Sequence, residues 1–194
     1  LLASPNNPTG TALDLATVEA VCEATLTSGP AGPDGAPTAS VVVVDEAYGE
    51  FRRAGTPSAL TLLARYRHLA VSRTMSKAFG MAGLRLGYLA AAPELVEHLR
   101  VVRLPYHLSA LTQAAALAAL RHREELMGQV ASLRAERDAL VVWLRGQGLE
   151  VADSDANFVL FGRFDDPAWL AAGRQEYEDH RDLLRQFKDS PATP

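Results

Sequence analysis

The sequence has few of the features that mark several large protein classes. Its single cysteine, Cys22, excludes an internal disulfide and fits a reducing compartment. No stretch approaches the roughly 18 to 20 apolar residues that a membrane-spanning helix needs, and no signal peptide opens the chain. The net charge of −4 provides no basic surface for nucleic acid or an anionic membrane. These absences predict a soluble, cytoplasmic protein without nucleic-acid or membrane partners.

The apolar residues, 48% of the 194, fall into alternating strand and helix patterns. A β-branched run at 40–44 is typical of a strand buried on both faces of a parallel sheet, and apolar runs predict further strands at 69–72, 86–91 and 157–161. Helical spacing predicts helices at 14–28, 58–66, 93–103, 109–121 and 124–145. Thr11 or Asp14 is the candidate cap of the first helix. This alternation predicts an α/β fold.

The most informative segment is RTMSKAFGMAGLR, residues 73–85, directly after an apolar run. It places Lys77 beside the hydroxyls of Thr74 and Ser76 and eight residues before Arg85. A lysine can form an imine with a carbonyl cofactor, while hydroxyls and an arginine can hold a phosphate. Taken alone, Lys77 fits an exposed surface lysine and Arg85 a surface ion pair. The combination instead favours a site for pyridoxal phosphate.

Two other places in the chain offer polar groups for the same cofactor. Asp45 directly follows the predicted strand at 40–44 and so lies at its carboxyl end, and ligands of open α/β sheets bind at that edge. Its carboxylate could pair with a protonated pyridine nitrogen, or it could be a helix cap or turn residue. Tyr48, three residues later, could reach a ring hydroxyl. Asn7, in the turn SPNNPTG at 4–10, could donate to the same oxygen, or its amide could bond its own backbone.

These segments together resemble the fold-type I pyridoxal-phosphate aminotransferases (class I/II), and within them the histidinol-phosphate aminotransferase branch. The matching segments are SPNNPTG at 4–10, VDEAY at 44–48, RTMSKAF at 73–79, GLRLGY at 83–88, LPY at 104–106 and ANFVLF at 156–161. The resemblance implies an amino transfer between an amino donor and a 2-oxo acid. For that branch the reaction converts histidinol phosphate and 2-oxoglutarate to imidazole-acetol phosphate and glutamate, in histidine biosynthesis.

The resemblance also implies a role for each candidate residue. Lys77 is expected to bind the cofactor covalently and to move the proton between the substrate Cα and the cofactor. Asp45 is expected to hold the pyridinium, and Asn7 and Tyr48 the ring hydroxyl. The phosphate is expected to be bound by Thr74, Ser76 and Arg85. No metal site is expected, because the five histidines show no metal-ligand spacing.

Three parts of the chain are expected. Residues 1–105 form the second half of a large, mostly parallel-sheet domain that binds the cofactor. Residues 106–164 belong to a small α+β domain, and residues 165–194 form a polar tail in which the resemblance stops. The chain opens inside a family motif and is therefore expected to be part of a longer protein, a homodimer by resemblance.

Other functions share these motifs. An aminotransferase of other specificity, such as one for aromatic amino acids, and a decarboxylase of a phosphorylated amino acid would use the same cofactor. The ends that bind substrate would separate them, and no arginine after 162 fits the family's carboxylate-binding pattern. A non-catalytic aminotransferase-like module, as in some transcription regulators, is the alternative from another class. The retained Lys77 and Asp45 favour an enzyme.

Overall fold

The computed structural model describes residues 1–163 and 165–168. The strands are β1 (Leu2–Ala3), β2 (Val42–Asp45), β3 (Leu69–Thr74), β4 (Gly87–Ala91), β5 (Glu150–Val151) and β6 (Phe161–Gly162). The α-helices are α1 (Leu15–Ala24), α2 (Pro93–Val102), α3 (Ala110–Arg121) and α4 (Arg123–Gly146). Short 3-10 helices lie in the connections at Gly49–Phe51, Ala59–Leu62 and Ala82–Leu84.

Strands β1 to β4 form one sheet in that order. The first three run parallel, and the register pairs Asp45 of β2 with Ala3 of β1 and Ser72 of β3. β4 runs antiparallel to β3, while β5 and β6 form a separate antiparallel pair. The predicted α/β fold with a mostly parallel sheet is confirmed. Because parallel strands end at the same edge, Asp45 lies there between two neighbouring strand ends.

The main core lies between α1 and the sheet. Val18 and Cys22 of α1 are buried and pack with apolar side chains of β2, β3 and the 3-10 helix at Ala59–Leu62, namely Val42, Val44, Leu69, Val71, Ala59 and Leu62, and with Tyr66. The Cys22 side chain is completely buried, and burial raises the pKa of its thiol. It is therefore a packing residue on a helix face, as the helical spacing predicts. This core supports the strand that carries Asp45.

Side-chain caps explain where several helices begin. Asp14 caps α1, since its Oδ1 accepts from the Thr17 amide at 2.6 Å. Ser109 caps α3 by accepting from the Thr112 amide at 3.0 Å.

The predicted helix at 58–66 is wrong in extent, because only Ala59–Leu62 is helical, as a 3-10 turn. The chain then turns to bury Tyr66 in the core before β3 begins.

The predicted strand at 157–161 is wrong over residues 157–160. The Ser154 hydroxyl donates to the Phe158 carbonyl and accepts from the Ala156 amide, which bends the chain. Only Phe161 of the predicted segment pairs with another strand, opposite Val151 of β5. The apolar run at 157–161 therefore pairs with a strand only at its last residue.

The division at residue 105 stays a prediction, although β1–β4 precede that residue and β5–β6 follow it. Most of the predicted polar tail, 165–194, lies outside the described residues, as do Arg174, Arg181 and Arg185. Among the described helices, none combines the length and the apolar character needed to cross a membrane. In the same part of the chain, no three or more His, Cys, Asp or Glu side chains are placed to hold a metal ion.

Candidate active site

The Asp45 carboxylate stands at the carboxyl edge of the parallel strands. It is half-buried, and its Oδ1 accepts a hydrogen bond from the Ser72 hydroxyl at 3.0 Å. Ser72 is the residue paired with Asp45 across β2 and β3. The hydroxyl orients the carboxylate, and sequence reasoning missed this partner. A charged carboxylate at this depth can receive a cation or a further donor.

Asn7, Tyr48 and Lys77 come together at the same edge. The Asn7 amide nitrogen Nδ2 lies 3.3 Å from the Tyr48 hydroxyl, which accepts its hydrogen bond across 41 positions in sequence. The Lys77 ammonium nitrogen lies 5.4 Å from the centre of the Tyr48 ring. Lys77 is exposed and forms no ion pair with the residues that the structure describes. Its amine is therefore accessible to an electrophile beside a hydroxyl and an amide.

A closed loop carries the predicted phosphate ligands. The Met75 amide bonds to the Leu86 carbonyl at 3.0 Å, which joins the start of the loop to its end and brings Arg85 near Thr74. The Thr74 hydroxyl accepts from the Ser76 amide at 3.1 Å and donates to Leu86 at 3.3 Å. These bonds give Thr74 a structural part in the loop, so its hydroxyl would have to leave Leu86 before it could donate to a ligand.

Arg85 ends this loop in a strained backbone conformation. Its φ is +50°, in the left-handed region that a residue with a side chain seldom adopts. The guanidinium is exposed, and one of its nitrogens, Nη1, donates to the Ala82 carbonyl at 3.2 Å. Most of its donors therefore remain available to an anion. Strain of this kind concentrates at ligand-binding positions.

A buried charged network lies behind the site, and the sequence analysis did not identify it. Glu46 follows Asp45 directly, is 2% exposed, and accepts hydrogen bonds from the Ser58 hydroxyl, the Ala59 amide and the Arg73 guanidinium. Burial alone would raise the pKa of Glu46, but these hydrogen bonds and the charges of Arg52 and Arg73 lower it overall. The available signal for this network was Arg73, a charged residue that lies within β3 and directly follows the predicted strand at 69–72.

The segment at 153–158 contacts the same region. Asp155 is buried and accepts from the Arg53 backbone amide at 2.8 Å, from its guanidinium at 3.1 Å and from the Thr56 hydroxyl at 3.1 Å. Phe158 meets the Tyr48 ring edge to face, with centroids 5.2 Å apart. Residues about a hundred positions downstream thus pack on the turn that carries Tyr48. Nothing in the local sequence indicated these contacts.

The assembled groups define the chemistry that this edge can perform. An accessible amine can add to a carbonyl, a carboxylate can hold a cation, and an exposed arginine with nearby hydroxyls can bind an anion. All of the sequence-predicted residues lie at the carboxyl edge or on the loop that leaves it. The arrangement suits a ligand that combines a carbonyl, a basic ring nitrogen and a phosphate.

Comparison with known proteins agrees with this arrangement. The sequence model of the family described as aminotransferase class I and II matches residues 1–187. The match extends beyond Phe164, where the sequence analysis ended the resemblance. The chain is 68% identical to a histidinol-phosphate aminotransferase of Thermobifida fusca over 85% of this chain and 41% of the relative. A histidinol-phosphate aminotransferase of Streptomyces avermitilis is 58% identical over 96% of this chain and 54% of the relative.

A solved structure has the same fold. Histidinol-phosphate aminotransferase from Sinorhizobium meliloti, determined in complex with pyridoxal 5'-phosphate, superimposes with a TM-score of 0.66 and 28% identity, over 82% of this chain and 41% of that one. The chain thus spans about half the length, or less, of the relatives it matches. The family match covers nearly all of its 194 residues. The chain belongs to the class I and II aminotransferase family.

Proposed function

We propose that this chain carries the pyridoxal-phosphate site of a histidinol-phosphate aminotransferase. The observation that carries the proposal is the meeting of Asn7, Tyr48 and Lys77 beside Asp45 at one sheet edge. The high identity to curated histidinol-phosphate aminotransferases supports the substrate pair, histidinol phosphate with 2-oxoglutarate. A homodimer and a cytoplasmic location follow from the family resemblance and belong to the same proposal.

The residues present fit the cofactor at each of its polar groups. The half-buried Asp45 carboxylate would pair with the pyridinium nitrogen, and the Asn7 amide and Tyr48 hydroxyl would bond to the ring oxygen. Arg85 and Ser76 would hold the phosphate, and Thr74 would join them once its hydroxyl turned away from the Leu86 carbonyl. When bound, pyridoxal phosphate supplies an electron sink for amino-group transfer.

Lys77 is the proposed catalytic residue. Its amine is accessible and lies over the Tyr48 ring, so it can attach the cofactor and afterwards take the proton from the substrate Cα. Asp45 would pair with the ring nitrogen of the cofactor and so favour its protonated form. Arg85 would hold the phosphate of the cofactor through its exposed guanidinium. Each step depends on side chains that the fold brings to one edge.

The test is covalent labelling of the lysine. We expect pyridoxal phosphate followed by borohydride to label Lys77, identified by mass spectrometry of the digested protein, and Lys77→Arg to lose both the label and the visible absorbance band. Arg67→Lys, at an exposed position beside β3, is a matched control because it adds a surface lysine that should remain unlabelled. Equal labelling of Lys77, Lys188 and the lysine introduced by Arg67→Lys, or a spectrum unchanged by Lys77→Arg, would contradict the proposal.

A further inference from the structure

Arg73 occupies an unusual place for an arginine. It lies inside β3, its side chain is 9% exposed, and its guanidinium is bonded to two acidic side chains. Nη2 lies 2.6 Å from Glu46 Oε2, and Nη1 lies 2.7 Å from Glu50 Oε1. A buried ion pair of this kind is costly to assemble and contributes little net stability by itself. Its position therefore calls for a reason other than stability.

The two carboxylates bracket the turn that carries Tyr48. Glu46 stands before Tyr48 and Glu50 after it, and the Gly49 amide closes the turn on the Glu46 carbonyl at 2.8 Å. The Arg73 guanidinium passes directly beneath this turn. A β-carbon on Gly49 would lie 2.7 Å from Arg73 Cζ, so any larger residue there would push the guanidinium from its present position.

Arg73 also belongs to the strand that leads to Lys77. Thr74 follows it directly, and Lys77 comes four residues later on the loop that begins at the end of β3. Arg73 is thus a rigid link between the turn that holds Tyr48 and the backbone that holds Lys77. The Glu46 amide bonds to the Ser72 carbonyl at 2.9 Å, which ties the same two segments together on the other side of the strand.

We infer that Arg73 is a positioning residue, which holds the Tyr48 turn between Glu46 and Glu50 and thereby sets the relation of Tyr48 to Lys77. The inference rests on the proposed function, because its consequence is read in cofactor binding. Without Arg73, Glu46 keeps Arg52 at 2.9 Å, but Glu50 loses its ion-pair partner. The Glu50 carboxylate, whose side chain is 11% exposed, would then draw the turn toward solvent, and Tyr48 would move with it. Arg73→Lys would restore the positive charge, but not the separate nitrogens with which the guanidinium bonds to Glu46 and Glu50.

The experiment compares cofactor affinity with stability in the full chain. Pyridoxal-phosphate affinity is measured by absorbance titration for Arg73→Met, Arg73→Lys and Glu50→Gln, at a temperature at which circular dichroism shows each variant folded. Val18→Ala is the matched control, since it opens the core at α1 without touching the network. We expect Arg73→Met to weaken affinity by about tenfold or more, since small displacements of positioned groups have effects of that size. Arg73→Lys should recover part of this loss.

The outcomes separate the inference from the proposed function. Val18→Ala should lower the unfolding midpoint and leave the affinity for pyridoxal phosphate within about twofold of the unsubstituted protein. This result shows what a loss of stability alone does to cofactor affinity. Arg73→Lys and Glu50→Gln with affinities equal to that control would overturn the positioning role, even if Arg73→Met fails to fold. If instead the unsubstituted chain gains no label at Lys77, the proposed function fails first and the positioning role with it.

Discussion

The Arg137 side chain offers the sharpest test of how the chain is held together. It lies on α4 and is 4% exposed, and its Nη1 donates to two carbonyls, Phe51 at 2.6 Å and Ala156 at 2.8 Å. The first carbonyl ends the 3-10 helix after Tyr48, and the second belongs to the segment that follows Asp155. We expect Arg137→Met, which keeps the length of the side chain and removes the donors, to uncouple these three segments.

The size of the effect follows from the groups left behind. Two buried carbonyls lose their partner, and each such loss costs about 1–3 kcal/mol. Asp138, the third partner of Arg137, is 55% exposed and can return to water, so it adds little. The free energy of unfolding should therefore fall by about 2–6 kcal/mol. The free energy of unfolding of Arg137→Lys should lie between those of Arg137→Met and the unsubstituted chain, because one ammonium group can reach one or both carbonyls.

Urea unfolding followed by far-ultraviolet circular dichroism measures these differences. Arg123→Met is the matched control, since it makes the same exchange at an exposed position of the same helix. A surface exchange of this kind should change stability by no more than about 0.5 kcal/mol. If Arg137→Met costs no more than the control, the two carbonyls do not depend on the guanidinium and the reasoning is refuted.

Two further predictions concern the neighbouring contacts. Burial would raise the pKa of Asp155, but hydrogen bonds from Arg53 and Thr56 lower it below its ordinary value of 3.8. The stabilisation from this carboxylate is therefore present above that pH and lost as the pH falls below it. The stability difference between the unsubstituted chain and Asp155→Asn should shrink on acidification, and a constant difference in pH-dependent urea unfolding would contradict this. Ser109→Ala, which removes the cap of α3, should cost about 1 kcal/mol by the same assay, whereas Ser109→Asp should cost almost nothing.

The strands that build the site were predictable because their local pattern and their burial agree. The β-branched run before Asp45 forms β2, and the apolar run before Thr74 forms β3, with both strands inside the core. Placing polar residues at the ends of such strands is enough to predict a shared edge. The edge position of Asp45 beside the end of β3 followed from strand direction in this way, whereas the roles of Asp45 and Lys77 stay predictions.

Other parts of the structure depend on contacts that local pattern does not contain. The run at 157–161 has the composition of a strand, but Ser154 bends it and leaves only Phe161 opposite a partner. Likewise, the residues that hold the Tyr48 turn, Arg137 and Asp155, lie about a hundred positions downstream of it. Their residue types alone fit surface charges, so the burial of Arg137 and Asp155 could not be predicted from them.

The Tyr48 turn is therefore held from two directions, and this has a consequence for the site. From β3, Arg73 fixes the turn at Glu46 and Glu50; from the C-terminal part, Asp155 and Arg137 fix its far end through Arg53 and the Phe51 carbonyl. A shift of α4 or of the 153–158 segment must then move the backbone that carries Tyr48. Tyr48 accepts the hydrogen bond from Asn7 and lies under the Lys77 ammonium group. The geometry at the carboxyl edge therefore depends on segments that contribute none of the proposed cofactor ligands.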